Sequence, residues 1–333
     1  QAYGAWLQKA STMDNSIHII YINTSLRVKA LSHVIVPTIT CTSSNVLHTI
    51  LQAAAQIPEL NIWYGPDTYM GANLKVVFEQ LLTMDDTAIQ AIHPQHNLKS
   101  IQNLLSRFHF FQQGNCVVHH MFGADVVEKV RKEYGDAYHT AHFEVPGEMF
   151  ELASQAQKEG RGVVGSTSNI LHFIADRVQE AKAIQKEQTL SFVLGTEAGM
   201  ITSIVRKVQH LLQEADRSDI QVEIIFPVAS EAVTEDAEFG VVPGVSGGEG
   251  CSTAGGCATC PYMKMNSLDA MFNVIEMLAE GRQEELIPFF PQKYTQQIQG
   301  RTAAEIGGEP ILFMRHFQRH GVLPDDLVEQ IHA

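Results

Sequence analysis

Two distant stretches of this chain carry nearly the same nine-residue sequence. Residues 42–50 read TSSNVLHTI, and residues 166–174 read STSNILHFI. In both copies a run typical of a β-strand precedes the Ser/Thr/Asn cluster, and a helical pattern follows it. Strand–loop–helix units resemble each other in general, but a shared Leu-His pair has no generic explanation. We therefore interpret the two stretches as equivalent parts of two homologous units.

The match extends beyond the nine residues in both directions. The shared features are strand ends at Tyr21-Ile22-Asn23 and His142-Phe143-Glu144, strand ends at Gly65-Pro66-Asp67 and Gly195-Thr196-Glu197, and the cysteines Cys116 and Cys260. This order predicts two α/β modules, at residues 17–117 and 118–262. Residues 1–16 are then the remnant of a preceding module, and residues 263–333 form a C-terminal helical segment.

Strand and helix patterns alternate along both modules, which predicts parallel sheets with helical crossovers. The predicted strands are 17–21, 34–36 with 39–41, 61–64, 137–143, 162–164, 190–194 and 222–226. The predicted helices are 26–31, 46–55, 126–134, 147–159, 170–183, 200–215, 267–280, 303–306 and 325–333.

Charge and composition exclude some functions. The formal net charge of -14 argues against general nucleic-acid binding, which needs clustered Lys and Arg, although helix N-termini still bind small anions. No apolar run is long enough to span a bilayer, and no signal peptide is visible. Because the chain starts at Gln1 rather than Met, we expect that an N-terminal part has been lost. The odd number of cysteines, five, argues against a simple disulfide framework.

The Ser/Thr/Asn clusters at 42–45 and 166–169 each lie between a strand and a helix. Free N–H groups and the helix dipole favour a carboxylate or phosphate there, and hydroxyl groups add donors. The same residue types also act as plain N-caps. Two clusters at equivalent positions favour binding over capping.

The strand-end pairs are Tyr21 with Asn23 and His142 with Glu144. Residues i and i+2 of a strand point to the same side, and ligands bind at the carboxyl ends of strands in open α/β sheets. His with Glu offers an acid–base pair near neutral pH. Tyr with Asn offers a donor and an orienting amide. The alternative is that His142 is a structural histidine.

Three cysteines crowd into the Gly-rich loop 244–262, which suggests metal or redox chemistry. Cys260 is followed by proline, as is common at iron–sulfur sites, and the glycines allow a close wrap around a cluster. Cys257-x-x-Cys260 is alternatively a redox dithiol, although such a motif normally opens a helix after a strand.

The remaining cysteines differ in their neighbours. Cys116 is followed by His119 and His120. The Cys-x-x-His spacing matches a zinc half-site, and it equally places an imidazole beside a cluster-bound substrate. Cys41 lies in an apolar run, and we interpret it as a buried small residue.

Together these motifs resemble quinolinate synthases, in the version found in plants and algae. The residues that carry the resemblance are Tyr21-Ile-Asn23-Thr-Ser, Val28-Lys29-Ala30, Thr42-Ser43-Ser44-Asn45, Gly114-Asn-Cys116-Val-Val-His119, His142-Phe-Glu144-Val-Pro-Gly-Glu-Met149, Gly165-Ser166-Thr167, Thr196-Glu197 and Cys260-Pro-Tyr-Met263. The resemblance runs from about residue 17 to the C-terminus, and bacterial members more often have His-Pro-Glu-Cys in the 142 region.

The resemblance implies three similar three-layer α/β/α modules with parallel sheets around a pseudo-threefold axis, two of them in this chain. It implies a [4Fe–4S] cluster held by one cysteine of each module, here Cys116 and Cys260. Cys251 and Cys257 are not expected to be ligands. The first module, with the third ligand, is expected to precede residue 1, so the chain alone is expected to be inactive or to hold the cluster weakly.

The implied reaction condenses iminoaspartate with dihydroxyacetone phosphate to quinolinate, with release of phosphate and water, for NAD biosynthesis. The open iron would act as a Lewis acid. The implied roles are proton transfer for Tyr21, His142 and Glu144, the last as main acid–base group; orientation for Asn23; substrate contact near the cluster for His119; and binding of carboxylate or phosphate oxygens for Ser43, Ser166 and Thr167.

Partners and location follow from the same resemblance. Besides the two substrates, the candidate partners are a second copy of the chain, aspartate oxidase and cluster-assembly proteins, but no nucleic acid or membrane. The plant-like sequence implies a plastid, and the cytoplasm otherwise. Two other function classes stay open: a zinc- or cluster-binding scaffold without catalysis, and a thiol–disulfide oxidoreductase that uses Cys257 and Cys260.

Overall fold

The structure, a computed structural model, describes residues 2–114, 122, 124–184, 186–196, 199–215, 217–227, 241–243, 250–252, 268–290 and 292–333, with only the backbone described at 199, 241–243 and 250–252. The chain divides into two compact units. Unit 1 comprises residues 1–115 and 293–333, and unit 2 comprises residues 116–292.

Unit 1 is built on a four-stranded parallel sheet in the order β2-β1-β3-β4. The strands are β1 (Ser16–Tyr21), β2 (Thr38–Cys41), β3 (Asn61–Gly65) and β4 (Phe108–Phe110). The helices of this part are α1 (Ala2–Ala10), α2 (Leu26–Ile35), α3 (Val46–Gln56), α4 (Thr68–Leu81), α5 (Asp86–Ile92) and α6 (Leu98–Ser106). The first three strands are buried along their whole length, and this explains why β1 reads as a nearly continuous apolar run.

Unit 2 is built on a second four-stranded parallel sheet, in the order β6-β5-β7-β8. The strands are β5 (Tyr138–His142), β6 (Gly162–Gly165), β7 (Gln188–Gly195) and β8 (Ile220–Ile225). The helices are α7 (Ala124–Glu133), α8 (Gly147–Lys158), α9 (Thr167–Ala183), α10 (Gly199–Glu214) and α11 (Leu268–Ala279), with a 3₁₀ helix at Gln283–Phe289. Two short strands, β9 (Val241–Pro243) and β10 (Gly250–Ser252), pair antiparallel.

One hydrophobic cluster of unit 2 lies between its sheet and the helices α9 and α10. Ile170, Ile174 and Val178 recur every four residues on α9, so they form one buried stripe. They pack in one cluster with Phe192 and Leu194 of β7. Because a buried stripe must be apolar, the four-residue spacing of these residues predicted the helix from the sequence.

Strand register confirms that the two units repeat one α/β arrangement with parallel sheets. The last residue of β1, Tyr21, pairs with Cys41, and the last residue of β5, His142, pairs with Gly165. One residue earlier, Ile20 pairs with Gly65 and Ala141 pairs with Gly195. The register therefore makes residues 21, 41 and 65 of unit 1 equivalent to residues 142, 165 and 195 of unit 2.

The C-terminal segment 293–333 belongs to unit 1. It contains the two-residue strands β11 (Gln297–Ile298) and β12 (Arg301–Thr302) and the helices α12 (Ala303–His320) and α13 (Asp325–His332). Helix α12 packs on α2, where Ala303 and Ile306 cluster with Ala30. Gly307 permits this close crossing, because a Cβ there would overlap the backbone carbonyl of Leu26.

The structure also corrects some predicted elements. The predicted extended piece at 34–36 was wrong, because α2 continues to Ile35 and ends just before Pro37, which disfavours helical geometry in the residue before it. The helices α4, α5 and α6 and the strand β4 had not been predicted individually. Among the described residues, no helix is both long and apolar enough to cross a membrane.

Candidate active site

The predicted pair Tyr21 and Asn23 lies at the carboxyl edge of the unit 1 sheet. Tyr21 ends β1 and is buried, while Asn23 is exposed in the turn that follows. The turn is closed by Thr24, whose N–H and hydroxyl both donate to the Tyr21 carbonyl, at 3.3 and 3.0 Å. Ser25 then caps α2 by accepting the N–H of Val28 at 3.2 Å. This edge is where parallel α/β sheets bind ligands.

Lys29 also lies at this edge, although the sequence motifs included it only within Val28-Lys29-Ala30 and gave it no role. Its side chain is buried on α2, and its ammonium donates to the Ile22 carbonyl at 2.9 Å, the Thr24 hydroxyl at 2.9 Å and the Thr24 carbonyl. Burial lowers the pKa of Lys29 to about 8, and the nearby Cys41 thiol opposes that shift. A lysine in the otherwise apolar Val28-Lys29-Ala30 run was the available signal.

The hydroxyl cluster of unit 1 follows β2. The side-chain oxygen of Asn45 accepts the Thr42 N–H at 2.7 Å, and the hydroxyls of Thr42 and Ser44 lie 2.9 Å apart. Ser43, the predicted ligand-binding residue, is half-buried between them. Helix α3 starts at Val46, so this cluster forms the helix N-terminus. Asn45 occupies the N-cap position, but its side chain accepts the Thr42 N–H rather than an N–H of the helix.

The predicted pair His142 and Glu144 lies at the equivalent edge of unit 2. Both side chains are buried, with 4% and 6% of their surface exposed. The Nδ1 atom of His142 is 3.2 Å from Oε2 of Glu144 and 3.3 Å from the Glu144 backbone N–H. The same Nδ1 accepts the Glu144 backbone N–H, so this hydrogen bond holds the imidazole next to the carboxyl group. The two side chains therefore lie within hydrogen-bonding distance of each other, away from solvent.

The hydroxyl cluster of unit 2 follows β6 and forms a capping box. The Asn169 side-chain oxygen accepts from the Ser166 N–H at 2.9 Å and from the Ser166 hydroxyl at 2.6 Å. The Ser166 hydroxyl in turn accepts the Asn169 N–H at 3.4 Å. Ser166 is buried, while Thr167 is exposed at the first position of α9. Ser166 therefore has a capping role, and Thr167 is the hydroxyl of this pair that solvent reaches.

The segment that leads to Cys116 is fixed at the carboxyl edge of the unit 1 sheet. Thr68 donates its N–H to the Gly114 carbonyl at 2.6 Å, and Gly114 donates its N–H to the Thr68 hydroxyl at 2.9 Å. A Cβ at Gly114 would overlap the Pro66 carbonyl. Only glycine fits this contact, so the chain passes close to the end of β3 at Gly114.

The structure brings part of the predicted set to the two sheet edges. Cys116, His119, His120, Glu197, Cys257 and Cys260 lie outside the described residues. Cys251 is described only as backbone in β10. Cys41 is buried at the end of β2, as predicted. Within the described part of the chain, no three His, Cys, Asp or Glu side chains come together as a metal site.

A buried histidine in the central strand of unit 1 was also missed by the sequence patterns. His18 accepts the Tyr3 hydroxyl at Nε2, at 2.6 Å, and its Nδ1 is 3.3 Å from the Thr38 hydroxyl. Thr38 itself donates to the Val36 carbonyl at 2.7 Å, so Nδ1 of His18 carries the proton. The result is a directed chain of three hydrogen bonds that ties α1 to the sheet.

His139 occupies the equivalent position in unit 2, three residues before His142 as His18 is before Tyr21. Burial lowers the pKa of His18 to about 3, and the charge of His33 adds to that shift. Burial also lowers the pKa of His139, against a backbone hydrogen bond with Gly135 that raises it. Both histidines are therefore neutral groups of the sheet cores rather than ligands at the edges.

Comparison with known proteins identifies similar sequences. A family model described as "Quinolinate synthetase A protein" matches residues 4–293. A protein named "Quinolinate synthase, chloroplastic" from Nicotiana tabacum is 53% identical over 343 aligned positions, which cover 99% of this chain and 47% of that protein. Its namesake from Arabidopsis thaliana is 52% identical, with 99% and 48% covered. A "Quinolinate synthase" from Saccharolobus solfataricus is 26% identical, with 79% and 57% covered. The chain thus spans about half the length of the plant relatives.

Proposed function

Because the chain belongs to the quinolinate synthetase A family, we propose that it forms the catalytic part of a quinolinate synthase. The reaction would condense iminoaspartate with dihydroxyacetone phosphate and release phosphate and water. The observation that carries the proposal is the buried His142–Glu144 pair at the carboxyl edge of one sheet, with Tyr21 and Asn23 at the equivalent place in the other. A pair of proton-transfer groups at such an edge suits a condensation and dehydration.

Each described residue has a role in this proposal. Glu144 is the main acid–base group, and it takes and returns a carbon-bound or hydroxyl proton of the substrate. His142, whose Nδ1 lies 3.2 Å from Oε2 of Glu144, takes part in the same proton transfer. Tyr21 delivers or receives a proton, and the exposed amide of Asn23 orients the substrate. Ser43 and Thr167 bind carboxylate or phosphate oxygens at the N-termini of α3 and α9. Ser166 caps α9 and so fixes the position of Thr167.

We further propose that Cys116 and Cys260 hold a [4Fe–4S] cluster, with His119 near the substrate bound beside it. The chemistry of the donors fits, because cysteine thiolates are the ligands that such clusters take. The fixed Gly114 supports the placement, since it brings the chain before Cys116 to the edge that carries Tyr21 and Asn23. When bound, the cluster supplies a Lewis-acidic iron for a substrate oxygen.

The wider setting is proposed on the same basis. A third module of the same fold would complete a pseudo-threefold arrangement with the two parallel-sheet repeats. The plant relatives are named chloroplastic, which supports a plastid location. A second copy of the chain, aspartate oxidase as the source of iminoaspartate, and cluster-assembly proteins are the proposed partners.

The test uses the full-length protein that contains this chain, reconstituted anaerobically with iron. Glu144→Gln should retain the iron and lower quinolinate formation at least about a hundredfold, the usual contribution of a positioned acid or base. The control is Glu148→Gln, because Glu148 is exposed in the first turn of α8. Full activity of Glu144→Gln would refute the assigned role.

Iron content separates the cluster proposal from the catalytic one. Cys116→Ala and Cys260→Ala should each lower the bound iron, whereas Cys41→Ala should leave it unchanged, because Cys41 is buried in the strand β2. Iron binding without quinolinate formation by the wild-type protein would instead favour a cluster-binding scaffold without catalysis.

A further inference from the structure

The turn that contains Asn23 is hydrogen-bonded to the buried ammonium group of Lys29. Lys29 donates to the carbonyls of Ile22 and Thr24, which are the two residues that flank Asn23, and also to the Thr24 hydroxyl. That hydroxyl donates in turn to the Tyr21 carbonyl at 3.0 Å. One ammonium group therefore binds the backbone on both sides of Asn23, while the Tyr21 carbonyl is bound by the N–H and hydroxyl of Thr24 itself.

Burial of this ammonium is costly, and the fold does not require it. A buried charge needs several hydrogen bonds to offset its lost hydration, and Lys29 is only 2% exposed. In unit 2, the strand end His142 and the helix start Gly147 correspond to Tyr21 and Leu26, so the residue at the position of Lys29 is Phe150.

Phe150 stabilises the corresponding connection of unit 2 without a charged group. It is buried and stacks on Phe143 of the corresponding turn, with ring centroids 6.0 Å apart. The same strand–turn–helix connection is thus stabilised by aromatic packing in one unit and by an ammonium in the other. The difference lies in what each turn presents, namely an exposed amide at Asn23 and a buried carboxylate at Glu144.

We propose that Lys29 is a positioning residue for substrate binding, which fixes the direction of the Asn23 amide by binding the carbonyl groups on both sides of it. Lys29 is buried and its ammonium faces the turn, so it acts through Asn23 rather than on the substrate. A buried glutamate is oriented by its own packing. An exposed amide has no such support, and its backbone must be held instead. This inference rests on the proposed function of the Tyr21–Asn23 edge.

The test is a double-mutant cycle in the reconstituted full-length protein. Lys29→Met keeps the length of the side chain and removes all three donor bonds, and Asn23→Ala removes the amide. Each single variant should lower kcat/KM for quinolinate formation about tenfold or more, because hydrogen bonds from a charged group are lost or the amide is lost. The double variant should be no slower than Asn23→Ala alone, because Lys29 acts only through Asn23.

Two further variants support the cycle. Lys99→Met is the matched control, because Lys99 is an exposed lysine of α6 and its loss should leave kcat/KM unchanged. Thr24→Val removes one acceptor of Lys29 and should show a smaller effect in the same direction. It keeps the proposal testable if Lys29→Met does not fold.

The proposal would be overturned if the losses in kcat/KM of the two single variants multiplied in the double variant, because Lys29 would then act independently of Asn23. An unchanged kcat/KM for Lys29→Met would also overturn it, because Lys29 would then have no role in substrate binding.

Amide hydrogen exchange provides a readout that does not depend on activity. Exchange at residues 23–25 should be faster in Lys29→Met than in Lys99→Met, and equal rates would overturn the proposal. A wild-type protein that forms no quinolinate would refute the proposed function, while the exchange result would still decide whether Lys29 holds the turn.

Discussion

Units 1 and 2 place different chemistry on the same backbone positions. At the end of its first strand, unit 1 has Tyr21 and Asn23, and unit 2 has His142 and Glu144, whose side chains lie 3.2 Å apart. The parallel sheet fixes where these side chains emerge but not what they are. The repeat therefore supplies two equivalent positions at sheet edges, one with a phenol and an amide and the other with an imidazole and a carboxyl group.

The largest expected effect on activity comes from giving the strand end of unit 2 the two residues found in unit 1. The double variant His142→Tyr/Glu144→Asn gives unit 2 the pair of unit 1. Because both pairs occupy the same register, we expect the far-UV circular dichroism spectrum to stay native. Quinolinate formation should fall at least about a hundredfold, because the acid–base pair is gone. If activity persists, the two strand ends are interchangeable, and Glu144 is not the main acid–base group.

The sequence predicted the repeat well because local patterns encode it. The register-matched strands and the stripe of Ile170, Ile174 and Val178 follow from apolar periodicity, which a single chain displays directly. The strand-end residues followed from the rule that strand carboxyl ends carry ligands. In both cases the information lies within about ten residues of the feature that it predicts.

Contacts between residues far apart in sequence could not be predicted in this way. The hydrogen bonds of Lys29 could not be predicted, because two of its acceptors are backbone carbonyls that no residue pattern reveals. Tyr3 and His18 meet only when α1 packs on the sheet. The helix α12 packs on α2, almost three hundred residues away, and Gly307 gave no signal of that crossing in the sequence.

An effect of intermediate size, on the pH dependence of stability, is expected from His18 and His139, the buried histidines at equivalent positions of the two units. The pKa of His18 is about 3 in the folded chain against 6.5 in the unfolded chain, so between these values the unfolded chain binds more protons. Stability should therefore be lost as the pH falls from 6.5 towards 3, by about 1.4 kcal/mol per pH unit for this group. The pKa of His139 is lowered in the same direction, so unit 2 should lose stability over part of that range.

Both tryptophans of the chain, Trp6 and Trp63, lie in unit 1, so their fluorescence reports on the unfolding of that unit alone. His18→Gln should flatten the dependence of its free energy of unfolding on pH, whereas His48→Gln, at an exposed position of α3, should not. The same slope in all three proteins would show that His18 does not control the acid stability of unit 1.

The smallest expected effect concerns the two helix N-termini, and it distinguishes capping from binding. Asn45 and Asn169 accept backbone N–H groups at 2.7 and 2.9 Å. Asn169→Ala breaks the capping box of α9, and Asn45→Ala removes the acceptor of the Thr42 N–H before α3. Each substitution should lower the free energy of unfolding by about 1 kcal/mol, the usual contribution of one cap or hydrogen bond, with little change in KM. Ser43→Ala and Thr167→Ala should show the opposite pattern, a raised KM with unchanged stability, because their hydroxyls are proposed to bind substrate.

Tryptophan fluorescence measures the stability of unit 1 in these variants, and circular dichroism also reports on unit 2. A raised KM in the asparagine variants at unchanged stability would reverse the assignment. The amides would then bind the substrate, and the two clusters would differ from ordinary helix caps in both units.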